Sequence, residues 1–186
     1  MSNNTGSVKG QKTFDIESSS AIAYEMGLLI ENEKNKAKTQ PLKLYFAGPW
    51  FDPKMATLYD GFEAIAQTVI NQGRCIYDIF WPRRQPSAQP SAVFFNNIAH
   101  LTNSDVIIAS ISRKDSGTAF EMGMAKALNK PIYLLGYDES DLLSHTNVML
   151  AFSGRFLTVN KFADFLAGTI KNEDFITIPD TWEGKE

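Results

Sequence analysis

Val106-Ile107-Ile108-Ala109, then Asp115-Ser116-Gly117-Thr118-Ala119-Phe120-Glu121-Met122-Gly123-Met124-Ala125, then Pro131 and Ile132-Tyr133-Leu134-Leu135: the order of these segments decides the fold. The two short apolar runs have the length of buried strands, and the segment between them is a loop that runs into a short helix. In a strand–helix–strand unit the loop after the first strand lies at the carboxyl edge of the sheet, where open α/β folds bind ligands. Ser116-Gly117-Thr118 can start the helix, a hydroxyl serving as cap and Gly117 allowing close backbone approach. Glu121 then falls in the first turn or two, near that edge. An acid there also complements the helix dipole, so it has a purely structural reading too.

Bulk properties narrow the classes. With 186 residues and 44% hydrophobic content, one compact domain with a substantial core is expected. A formal net charge of −3 provides no broad basic surface, which argues against binding a nucleic-acid polymer. The single cysteine, Cys75, rules out an internal disulfide framework and is read as a buried small side chain in a cytoplasmic protein. No apolar run reaches membrane-span length, and the N-terminus lacks the apolar core of a signal peptide. A metal-ligand cluster is not visible, and no cofactor is expected.

Along the chain, residues 1–20 read as a disordered lead-in and 21–36 as an amphipathic helix. Leu42–Gly48 is a strand running into a turn. Pro49 and Pro53 bracket Trp50-Phe51-Asp52, expected to be a loop with two exposed aromatics that either stack on a planar ligand or cover the core. Apolar spacing predicts a helix from about Lys54 to Asn71, with Met55, Leu58, Phe62, Ile65 and Val69 on its inner face. A second strand over Cys75–Phe80 is followed by the irregular, proline-rich Trp81–Pro90, whose Arg83 and Arg84 either bind an anion or are solvated. A helix over about Ser91–Asn103 is expected to carry Phe94, Phe95, Ile98 and Leu101 inward, with Asn96, Asn97 and His100 on or beside its polar face. Asp105–Ala109, Ile132–Leu135 and Phe156–Val159 supply three more strands, and Lys161–Ile170 a closing helix. The alternation predicts an α/β, doubly wound (flavodoxin-like or Rossmann-like) parallel five-stranded sheet with helices on both faces. The expected organisation is an extension over 1–40, a domain over 41–175 and a tail over 176–186.

Four segments in order resemble the nucleoside 2-deoxyribosyltransferase family. They are Tyr45-Phe46-Ala47-Gly48-Pro49-Trp50-Phe51, Asn103-Ser104-Asp105 before the third strand, Asp115 to Glu121, and Asn147-Val148-Met149. The resemblance spans roughly Leu42 to Phe156 and implies an enzyme of nucleoside salvage that exchanges bases on 2-deoxyribose. It makes Glu121 the nucleophile, with Tyr45 orienting it and Asp115 holding a sugar hydroxyl; Asp115 also reads as a helix-capping loop carboxylate, and Tyr45 as a core tyrosine. Phe51, with Trp50, would wall the base, and Gln85 would contact it. Asn147 would bind the sugar 5′-hydroxyl and Met149 would pack near the nucleophile, both contributed by a neighbouring subunit, which implies a homo-oligomer. The chemistry suits a carboxylate: it stabilises oxocarbenium character and can form a covalent glycosyl ester, and two inversions give net retention.

Asn97 departs from the family pattern. The family has there an aspartate that protonates the leaving base, and an amide can hydrogen-bond to a base edge but delivers no proton at neutral pH. A different tautomer or modified base, another acid such as Asp78, or slow turnover would each account for it. A related N-glycosidase of 2-deoxynucleoside 5′-monophosphates is the second enzyme reading: Arg83 and Arg84 favour it, and Asn147 favours free nucleosides. A binding module without turnover is the third, favoured by Asn97 and opposed by Tyr45 and Glu121.

Overall fold

The computed structural model describes residues 40–50, 52–85, 89–111, 115–140 and 148–178. The expected lead-in, the helix over 21–36, Phe51, Asn147 and the C-terminal Trp182–Glu186 lie outside them. The described elements are β1 (Leu42–Ala47), α1 (Ala56–Asn71, preceded by a 3-10 turn Pro53–Met55), β2 (Tyr77–Phe80), α2 (Pro90–Asn103), β3 (Val106–Ser110), α3 (Ser116–Ala127), β4 (Ile132–Gly136), α4 (Val148–Ala151), β5 (Arg155–Thr158) and α5 (Phe162–Leu166). The five strands form one sheet in the order β2-β1-β3-β4-β5, with every pair parallel. This is the doubly wound α/β sheet expected from the alternation of elements.

The strand sequences explain the sheet. β3 and β4 are buried at every position, which is why they read as unbroken apolar runs rather than alternating ones. In β1 successive side chains go to opposite faces. Tyr45 and Ala47 join a cluster with Leu101 of α2 and Met122 and Ala125 of α3. Phe46 faces the other way, against Phe62 of α1 and Phe162 of α5. Helices therefore cover both faces. The chain leaves β1 for β2 on one side and returns to β3 on the other, so the order reverses at β1 and β3. The crevice outside their carboxyl ends is where such sheets bind ligands.

Several expectations need correction. α1 is rotated by about one residue: Met55, Phe62 and Val69 are buried as expected, but Tyr59 and Ala66 take the inner positions and Leu58 and Ile65 are only half-buried. The Tyr59 ring packs 4.2 Å from Trp50 and draws the helix round. In α2 only Leu101 is buried, whereas Phe94 and Phe95 are 48% and 68% exposed. The first turns of this helix stand at the carboxyl edge, past the sheet that would have covered them. Cys75 is half-buried; its Sγ donates to the Tyr77 carbonyl, and burial pushes the thiol up from its ordinary range. It precedes β2, which starts at Tyr77. The closing helix is shorter than expected. After Leu166 the chain turns at Gly168, whose φ of +65° favours glycine and whose missing Cβ leaves room for Ile76. Gly154 is required by packing, since a Cβ there would meet the Ile132 carbonyl oxygen at 2.5 Å.

Candidate active site

α3 begins where β3 ends, and its N-cap is Asp115, not one of the three residues after it. One carboxylate oxygen of Asp115 accepts from the Thr118 amide at 2.6 Å and the Thr118 hydroxyl at 2.7 Å. That cap fixes the first turn. Met122 and Ala125 are buried against the sheet, and Glu121, beside Met122, stands half-buried at the carboxyl edge. From β1, Tyr45 reaches the same point. Its hydroxyl, with the residue fully buried, donates to Glu121 Oε1 at 2.5 Å.

Burial dominates the electrostatics of this pair. It pushes the Glu121 carboxyl up to about 7; the Tyr45 hydrogen bond opposes that rise and the Asp115 charge adds to it. The Tyr45 hydroxyl is pushed up well beyond the ordinary phenol range, first by burial and then by the Glu121 charge and the hydrogen bond to it. The tyrosine is therefore a donor at any working pH, and it occupies one oxygen of the carboxylate.

In front of Glu121 opens a cleft of about 470 Å³. Gly48, Trp50 and Asp52 line it from the loop after β1, Phe94, Asn97 and Ile98 from α2, and Asp115, Gly117 and Thr118 from the start of α3. Of the residues singled out in the sequence, Glu121, Asp115, Gly117, Trp50 and Asn97 line one cleft, with Tyr45 hydrogen-bonded to Glu121 behind it. Trp50 is not the exposed aromatic that was expected. It is 9% exposed, donates its indole N–H to the Phe46 carbonyl at 3.0 Å, and packs edge-on to Phe46 and Trp81, so that it forms part of the wall. Gln85 does not line the cleft. Its amide donates to Asn97 Oδ1, and its own oxygen accepts from Asn96 at 2.5 Å. Met149 is 81% exposed and also lies outside the lining.

Neither arginine faces the cleft. Arg83 pairs with Asp60 and Glu63, and Arg84 pairs with Glu63, all on α1. Asp78, suggested as a substitute acid, is exposed on β2 beside Lys43 and His100 in a different depression. Sequence reasoning missed Asp52, Phe94, Ile98 and Phe120 as wall residues. A usable signal lay in Phe94, Asn97 and Ile98, an i, i+3, i+4 set with an amide inside the apolar stripe. Among the described residues no group of three or more His, Cys, Asp or Glu could hold a metal ion, and no helix is long and apolar enough to cross a membrane.

Sheet, switch point and carboxylate define a doubly wound α/β protein with a half-buried acid at its ligand edge. The family model described as nucleoside 2-deoxyribosyltransferase matches residues 44–175. The chain belongs to the nucleoside 2-deoxyribosyltransferase family. Among solved structures, the 2-deoxyribosyltransferase of the psychrotolerant bacterium Bacillus psychrosaccharolyticus is 23% identical at a TM-score of 0.52, over 66% of this chain and 89% of that one. A conserved protein from Enterococcus faecalis V583 is 18% identical at a TM-score of 0.54, over 69% and 98%. The CMP N-glycosidase of Clostridium botulinum is 15% identical at a TM-score of 0.47, over 68% and 95%. No curated protein sequence matches the chain.

Proposed function

We propose that this protein transfers 2-deoxyribose between heterocyclic bases through a covalent ester on Glu121. The observation that carries the reading is the Tyr45–Glu121 pair at the back of a cleft that also holds Asp115. Tyr45 holds Oε1, leaving Oε2 to attack C1′ of a bound nucleoside as the bond to the base breaks. A second base then attacks C1′ from the vacated side and releases the carboxylate, with net retention. Water in place of that base gives hydrolysis. Asp115 keeps lone pairs beyond those taken by Thr118 and would accept from a sugar hydroxyl. The monophosphate reading loses its support from Arg83 and Arg84, because both are engaged by α1.

Asn147 and Met149 would reach this cleft from a neighbouring copy. The exposure of Met149 and Phe152 on and beside α4, and of Phe94, Phe95 and Phe120 around the cleft mouth, favours such a homo-oligomer. A role in nucleoside salvage in the cytoplasm follows from the same reading.

The test is incubation with 2′-deoxyadenosine and cytosine, followed by chromatography. New deoxycytidine is expected. Adenine and free sugar alone would make the protein a hydrolase, and no product from either would overturn the proposal. The attacking group must be ionised, so initial rates should rise as pH passes through about 7, the value to which burial raises Glu121. A rate that is flat or falling across that range would remove Glu121 as the nucleophile.

A further inference from the structure

The cleft holds a carboxylate placed to attack C1′, and among the described residues of its lining the group on α2 is an amide, not an acid. Asn97 lines it from α2, between Phe94 and Ile98. Its oxygen accepts from Gln85, which in turn accepts from Asn96, so a short relay of amides fixes the orientation of Asn97 and leaves its NH₂ for the ligand. That group donates a hydrogen bond but is no proton source. The other carboxylates of the lining are already acceptors of main-chain N–H groups: Asp52 takes the Lys54 amide at 2.9 Å, and Asp115 takes that of Thr118. Asp78 lies elsewhere. Among the described residues the lining contains three carboxylates, Asp52, Asp115 and Glu121, and two phenylalanines, Phe94 and Phe120, with no lysine or arginine. Such a wall attracts positive charge, both through its acids and through its ring faces.

We infer that this site is built for cationic N-glycosides, such as N7-alkylpurine or pyridinium nucleosides, whose base departs as a neutral molecule without being protonated. The inference rests on the transfer reading above and specifies its substrate class. The balance is simple. Glu121 Oε2 forms the bond to C1′, the C1′–N bond breaks, and its electron pair cancels the positive charge of the departing heterocycle. No proton is required. By the same logic the acceptor of such a transfer is a neutral heterocycle that attacks C1′ with a nitrogen lone pair, and the carboxylate leaves as the heterocycle becomes positive. The NH₂ of Asn97 would meet a carbonyl or amide oxygen on the base, which selects for bases that carry one.

The experiment compares 7-methyl-2′-deoxyguanosine with 2′-deoxyguanosine, a pair differing by one methyl group and the charge, with spontaneous loss subtracted. In the native protein kcat/KM for the methylated nucleoside should exceed that for the neutral one by about 10²-fold or more, the range a general acid would otherwise supply. Asn97→Asp should raise the neutral rate by a comparable factor, which narrows the gap between the two substrates. Neutral turnover within about tenfold of the cationic rate in the native protein would overturn the inference while leaving the transfer reading intact. So would Asp52→Asn, if it abolished neutral turnover alone, because an acid would then be at work. Failure to cleave either nucleoside would remove the transfer reading, and the inference with it.

Discussion

Glu121→Gln is expected to lose turnover by on the order of 10⁴-fold and at the same time to stabilise the protein above neutral pH. The first effect follows because an amide cannot form or release a glycosyl ester, and removing a nucleophile costs most of the chemistry that depends on it. The second follows from burial, which raises the folded-state carboxyl from 4.5 to about 7. In the native protein the folded state then holds its proton more tightly than the unfolded chain. The associated stability is fully present below about 4.5 and is lost as pH rises through about 7. Each pH unit between those two values is worth about 1.4 kcal/mol, and partial exposure of the side chain trims the total, so the cost at pH 8.5 is on the order of 2–3 kcal/mol. Gln removes the charge and can still accept from Tyr45. Thermal melts at pH 5 and pH 8.5 should show the variant gaining about 2 kcal/mol on the native protein between the two, or roughly 5 °C in midpoint. An equal stability difference at both pH values would mean that Glu121 is not held in a desolvated place.

Phe46→Ala should destabilise by about 3–5 kcal/mol, a large share of what a domain of this size has to lose. The ring is fully buried and lies 4.8 Å from Trp81, 5.1 Å from Trp50, 5.4 Å from Phe62 and 5.7 Å from Phe162. It is thus the point where β1, α1, α5 and two loop tryptophans meet. Truncation leaves a hole that rigid rings on several elements cannot close. The Phe46 carbonyl also holds the Trp50 indole, so activity should fall together with stability as the cleft wall loosens. Phe46→Leu refills part of the volume and should lose less than half as much. Urea melts followed by tryptophan fluorescence would check both variants. A loss below about 1 kcal/mol for the alanine variant would mean that this aromatic cluster does not hold the sheet to its helices.

Much of the architecture was legible because it is local. The apolar runs of β3 and β4 are continuous because both faces of the sheet are covered, and the alternation of strands and helices leaves few topologies to choose among. The resemblance singled out Tyr45, Asp115 and Glu121, and the switch point between β1 and β3 explains why segments so far apart in the chain meet.

Sequence alone therefore determined the sheet, its parallel order of elements and the carboxylate at its edge, since each depends on side-chain periodicity or on motif order along one chain. Only the tertiary structure decided what surrounds that carboxylate. An apolar stripe cannot say whether it meets a sheet or overhangs a cleft, so Phe94 and Phe95 read as core although they stand exposed on α2. A pair of arginines cannot show that acids on α1 already hold them, nor can Gln85 show that it donates to Asn97. Burial of Trp50 and the raised proton affinity of Glu121 likewise arise from neighbours distant in sequence, because desolvation is a property of the packed molecule and not of any segment.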